Sequence, residues 1–278
     1  MKKEFLMVVF ESERVTSHIV RIRAKGTGVC QYLIEGDDRA LLVDTGYGIG
    51  DLRSFVEQLT DKPYEVVITH GHVDHASGAA QFDKVYMSFA DLPVARERTT
   101  FAARHQSLAG KSDLDKVPES EWIEPKVDGY LPLEEGQMFH LGNLDIETIH
   151  VPGHTPGMMV LLDIQERIAF FGDACGVFTM LLRSEASSVH EFRQSLAHLK
   201  EHESRYDRVL RQHGTCESDK DVLEENMDIC DEVLSGEDDH IPFEWLGIKG
   251  YLAKRVDTAT GSRVYGGTGN LAYRADNI

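Results

Sequence analysis

Three imidazoles and one carboxylate fall within the six residues His70-Gly71-His72-Val73-Asp74-His75. His-x-His sets two imidazoles on alternate positions of a short loop, where both can face one way. Asp74 and His75, directly after, supply an oxygen and a further nitrogen aimed elsewhere. Consecutive side chains diverge, so a single tetrahedral ion cannot comfortably take all of these donors, whereas two neighbouring ions can. The segment reads as half of a dinuclear site, and zinc suits a set of imidazoles with a tolerated carboxylate. Any fold for this chain must bring the other half from elsewhere.

Three later segments offer it. Val151-Pro152-Gly153-His154-Thr155-Pro156-Gly157 holds a histidine between two Pro/Gly turns, after an alternating run over 144–151. Ile168-Ala169-Phe170-Phe171-Gly172-Asp173 is an apolar strand that ends in a carboxylate with no packing reason to be there. Residues 207–214 form another short strand ending in His213-Gly214. Each candidate stands at a strand end beside a glycine, where loops carry functional side chains to a common point. Taken singly, each has a plainer reading: His70 as a loop or core histidine, Asp173 as the cap of the turn that follows. Taken in register they outweigh those readings.

The order His-x-His-x-Asp-His, then His, then Asp, then His resembles the metallo-β-lactamase fold superfamily of hydrolases. The matching motifs run from Asp44, in Val43-Asp44-Thr45-Gly46, to His213. The resemblance implies an α/β fold, a four-layer αββα sandwich with the site along one edge of its two sheets. It implies that His70, His72 and His154 hold a first metal, that Asp74, His75 and His213 hold a second, and that Asp173 bridges them. The ions would be two divalent metals, zinc first, with iron or manganese open. The intact pattern is closer to the glyoxalase II and lactonase branches than to the β-lactamases, which often place a cysteine in the second site. Flavodiiron proteins carry a glutamate where His72 stands, which disfavours dioxygen reduction.

The implied chemistry is hydrolysis of a small ester, lactone or thioester by a hydroxide bridging the two ions. Asp74 is the expected catalytic proton handler. Asp44 reads either as a residue that orients a ligand or as a turn-forming side chain. Cleavage of β-lactams or phosphodiesters is less expected. Two other classes stay open: an oxidoreductase like the mononuclear-iron persulfide dioxygenases, and a catalytically silent metal-binding scaffold.

Composition narrows the partners. A net charge of −18 disfavours nucleic acid, since phosphate contacts need a basic surface, and leaves a small-molecule substrate as the expected partner. No run approaches the roughly 18 apolar residues of a membrane span. The apolar run at 5–10 is too short for a secretory signal, so a cytoplasmic location is expected. Cys30, Cys175, Cys216 and Cys230 make no Cys-x-x-Cys pair and read as small buried hydrophobes. Acidic chains of this size often pair, so monomer and homodimer both stay open, the homodimer slightly favoured.

Along the chain, strands are expected at 5–10, 15–22, 29–34, 40–43, 66–69 and 84–87, and helices at 51–59 and from His75. Because the ligand candidates span 70 to 213, a single domain over 1–278 is the expected organisation. Residues 89–126 exceed what a minimal fold needs. They look helical over 91–108 and polar over 110–121, and are read as a cap over the site, with Phe101, His105 and Trp122 as pocket candidates. Helical faces follow at 189–199 and 219–234, then a C-terminal loop and hairpin over 241–278.

Overall fold

The computed structural model describes residues 10–110, 112–257 and 259–278. The strand expected at 5–10 lies outside them except for Phe10, which opens β1. The chain divides into two compact units, one of residues up to Ile146 together with Gln212–Gly214, the other of Glu147–Arg211 and Thr215–Ile278.

The first unit is built on a seven-stranded sheet in chain order: β1 (Phe10–Arg14), β2 (Ile19–Ala24), β3 (Cys30–Glu35), β4 (Ala40–Val43), β5 (Tyr64–Val67), β6 (Val85–Met87) and β7 (Leu131–Pro132). The first four strands pair antiparallel, as short turns permit. From β4 onward the pairs are parallel, because helical crossovers intervene. The first crossover is α1 (Leu52–Leu59), capped by the Asp51 carboxylate on the Ser54 N–H. Its apolar face joins Leu42, Val66, Ile68 and Val85 in one core cluster. A short strand β8 (Met138–His140) ends this unit.

Residues 91–108 do not make one helix. They form α3 (Leu92–Arg98) and α4 (Phe101–Leu108), separated where the Thr100 hydroxyl accepts from the Ala103 N–H and starts a new helix. The segment after α4 is polar in composition, yet Leu114, Val117 and Trp122 are buried with Leu108 and Ile49. Three apolar side chains suffice to seat it.

The second unit begins within β9 (Asp145–His150), at Glu147. Its larger sheet runs through β10 (Met159–Asp163), β11 (Ile168–Phe170), β13 (Arg208–Leu210) and β14 (Glu217–Ser218), in the order β14-β13-β11-β10-β9. The helices α5 (Val189–Glu201) and α6 (Val222–Ser235) send Phe192, Leu196, Leu223 and Ile229 into one core with Val160, Leu162 and Phe171. Ser188 and Glu191 close a reciprocal capping box on α5, the arrangement that satisfies two backbone donors at once. A smaller sheet, ordered β12-β17-β16-β15, joins β12 (Thr179–Leu181) to the terminal strands β15 (Ile241–Trp245), β16 (Ile248–Leu252) and β17 (Leu271–Tyr273). All four cysteines are free and buried. Among the described residues no helix is long and apolar enough to cross a membrane.

Candidate metal centre

The His-rich segment follows β5, at the carboxyl end of a parallel strand, the usual place for function in α/β sheets. The neighbouring strand β4 pairs Val43 with Val67, which brings the segments that follow the two strands side by side. Asp44 therefore meets Thr69. Its Oδ1 accepts from the Thr69 N–H at 2.8 Å, and the Thr69 hydroxyl donates to the same carboxylate at 2.9 and 3.0 Å. Asp44 Oδ2 lies 2.8 Å from Nδ1 of His75, with both side chains fully buried. Asp44 reaches this position at φ +65°, a conformation uncommon outside glycine, though less so for aspartate.

These contacts set tautomers. A carboxylate only accepts, so His75 Nδ1 carries the hydrogen and Nε2 presents a lone pair. Thr69 gives its only hydroxyl proton to Asp44, so toward Nδ1 of His70, 3.1 Å away, it accepts. His70 is thereby also an Nδ1–H tautomer. The rings of His70 and His72 stand nearly perpendicular with centroids 4.9 Å apart, and those of His70 and His75 are 4.1 Å apart.

His213 joins this group from far along the chain. Its backbone bridges Val29, and Gln212 accepts from the Cys30 N–H, so β3 holds it in place. His213 Nε2 stands 3.2 Å from His75 Nε2 and 3.4 Å from Asp74 Oδ2. One donor atom each from Asp74, His75 and His213 lie within 4.8 Å of one another. Two imidazole nitrogens facing each other beside a carboxylate oxygen form a donor set that fits a divalent ion of the zinc class.

In the second unit His154 sits in the turn between β9 and β10. Its Nδ1 donates to the Met180 carbonyl at 2.7 Å, which again leaves the Nε2 lone pair for a ligand. That Nε2 is 3.6 Å from Asp173 Oδ2. Gly153 is needed here, because a Cβ would come within 2.3 Å of the Phe192 ring on α5. Thus the first unit gathers His70, His72, Asp74, His75 and His213, and the second pairs His154 with Asp173.

Two residues escaped the sequence reading. Asp91, fully buried, accepts from the Gly71 N–H at 2.7 Å and pins the middle of the His-rich loop. A Cβ on Gly71 would come within 2.8 Å of the Asp91 carbonyl oxygen and the Ala95 nitrogen, so only glycine lets the loop lie so close. Arg104, also fully buried, donates to the carbonyls of Thr99, Gly48, Ile123 and Ser77. Burial pushes its guanidinium down to about 10. Ser77 caps α2 (Val73–Ala76), the helix of Asp74 and His75, so Arg104 ties that helix to residues 89–126.

The pocket candidates of that segment pack on one another. Trp122 is buried and its Nε1–H donates to Val117. Phe101 and His105 pack on it at centroid distances of 5.9 and 4.3 Å. Cys175 is part of the second unit's core, with burial raising its thiol above the ordinary range. Met158 and Met159 are buried as well.

A family model described as the metallo-beta-lactamase superfamily matches residues 26–201. Among curated proteins, the chain is 26% identical over 159 residues to the acyl-coenzyme A thioesterase MBLAC2 of Homo sapiens, covering 51% of this chain and 56% of that protein. It is 25% identical over 150 residues to the hydroxyacylglutathione hydrolase GloC of Haemophilus influenzae, covering 52% and 65%. The chain therefore spans less than two thirds of the length of these relatives. Among solved structures, a metallo-beta-lactamase from Pontibacter korlensis matches with a TM-score of 0.59 at 17% identity, covering 80% of this chain and 99% of that one. The sec-alkylsulfatase Pisa1 from Pseudomonas sp. matches at 0.63 and 17%, covering 82% and 42%. These likenesses show the α/β fold of the metallo-β-lactamase type, and with the family match over most of its length the chain belongs to the metallo-beta-lactamase superfamily.

Proposed function

We propose that the protein is a metal-dependent hydrolase of a small ester, lactone or thioester, with the thioester favoured by two of the relatives. His70, His72 and His154 are assigned to one ion, Asp74, His75 and His213 to a second, and Asp173 to both. The observation that carries the reading is the set of oriented imidazoles: His70, His75 and His154 each have Nδ1 engaged by a partner that fixes the Nε2 lone pair as the ligating atom. Such orientation is what ligating histidines require of their surroundings.

When bound, a pair of divalent ions supplies hydroxide at neutral pH and polarises the acyl carbonyl. Asp74 is partly exposed, and its carboxylate oxygens lie 3.4 Å from His213 Nε2 and 3.8 Å from His75 Nε2. It is placed to receive the proton of the attacking water and return it to the leaving group. Asp44 keeps His75 in one tautomer throughout. No serine or cysteine nucleophile is required, in keeping with the burial of every thiol.

Elemental analysis of the purified protein tests the metal assignment, with about two zinc-class ions per chain expected. Asp173→Ala should lower both, and His213→Ala mainly one. A chain that never holds more than one ion, or holds iron, contradicts the dinuclear zinc reading. A panel of lactones, thioesters, aryl esters, phosphodiesters and β-lactams tests the reaction. Turnover confined to phosphodiesters or β-lactams rejects it.

A further inference from the structure

The small sheet of the second unit is apolar on both faces, and strand register shows how. Met180, Ala272, Leu252 and Ile241 stand in line across β12, β17, β16 and β15. Phe243 and Trp245 continue that face along β15, and Ile248 pairs with Trp245. On the opposite face Leu181, Leu271 and Tyr273 enter the main core, so that side is fully used. On the first face only Leu182, Leu252 and Ala272 are buried, while Met180, Ile241, Phe243, Trp245 and Ile248 remain partly exposed. Phe178, 45% exposed, meets Phe243 edge-on at 5.9 Å.

This face adjoins His154 of the same unit. The Met180 carbonyl is the acceptor that orients His154, and Phe178 follows Asp173 after a short turn. An apolar ligand laid across the four strands would have one end beside His154 and the other on β15, where Ile241, Phe243 and Trp245 share a face. Four strands at ordinary spacing span about 14 Å, the reach of a medium-length alkyl chain. We propose that this face seats the acyl chain of an amphiphilic thioester or ester, with the scissile carbonyl at the His154 end. The assignment rests on the hydrolase reading and names its substrate class. A compact polar acyl group would not reach the partly exposed Phe243 and Trp245, whereas a flexible alkyl chain matches the face in length and chemistry. The Arg183 guanidinium lies 4.8 Å over the Trp245 ring and covers part of it.

The test uses acetyl, hexanoyl and dodecanoyl thioesters of one small thiol, with the metal-loaded protein. Wild-type kcat/KM should climb with chain length, by up to about fourfold per fully buried methylene. Phe243→Thr and Trp245→Thr, which keep strand propensity, should lower the ratio of dodecanoyl to acetyl kcat/KM by about tenfold. Binding is read separately: sodium dodecanoate should shift tryptophan emission to the blue in the wild type and not in Trp245→Phe. A shift without turnover of any thioester keeps the acyl face and rejects the hydrolase reading. A flat chain-length profile with no emission change overturns the proposal. So does a dimer in sedimentation velocity that the two threonine variants dissociate, since a second copy of the chain would then cover the face.

Discussion

Where the proton sits on each imidazole separates a ligating histidine from a packing one, and here Asp44 and Thr69 decide it for His70 and His75. Asp44→Asn is the informative change. Asparagine tolerates the left-handed backbone that Asp44 adopts, so the variant isolates hydrogen bonding from strain, but its amide can donate to His75 Nδ1 and reverse the tautomer. Metal affinity should fall about 10–100-fold with the fold intact, read by chelator competition and circular dichroism. Unchanged affinity would mean that Asp44 serves only the turn. The ligand candidates were legible because each is a polar residue at the end of an apolar strand, a place with no packing use for it. Asp91 was not legible. Standing just before Leu92-Pro93, it reads as an ordinary helix cap, yet its side chain makes no cap hydrogen bond and serves Gly71, twenty residues earlier in the chain.

Among elements, the strands and helices expected at 40–43, 51–59, 84–87 and 189–199 lie within a residue or two of those observed, since strong periodicity and caps mark them. The break between α3 and α4 escaped because helical composition runs through it, and only the Thr100 hydroxyl signals the restart. Arg104 ties that region to α2 through the Ser77 carbonyl. Arg104→Met keeps the apolar stem but strands several carbonyls, and should cost about 3 kcal/mol or more, measured by urea unfolding. Loss of under about 0.5 kcal/mol would show that water replaces the guanidinium. In the second unit Arg205 hydrogen-bonds Glu147 of β9 and holds its carboxyl below the usual range. A depressed acid stabilises the folded state at neutral pH and loses that contribution as pH falls through its folded value. Glu147→Gln should therefore be less stable near neutrality, by about 1 kcal/mol for a partly buried pair, and its stability should fall less steeply toward about pH 3. Identical slopes in wild type and variant would remove the pair from the acid response.

For the whole molecule, ligands that bind only the folded chain add stability by mass action. Treatment with a chelator should lower the thermal midpoint, and added zinc should restore it. A midpoint indifferent to both would argue that the donor cluster holds no ion of consequence. The buried thiols carry a different consequence. Cys30 lies in the first unit, and Cys175, Cys216 and Cys230 lie in the second. Each is sealed in the native state, so reaction with an alkylating reagent in mild denaturant records an opening event rather than surface exposure. One label per chain would report loosening of the first unit alone, three of the second, and four of global unfolding. The chain thus carries an internal gauge, readable by mass spectrometry without any added probe, of whether its halves come apart singly or together.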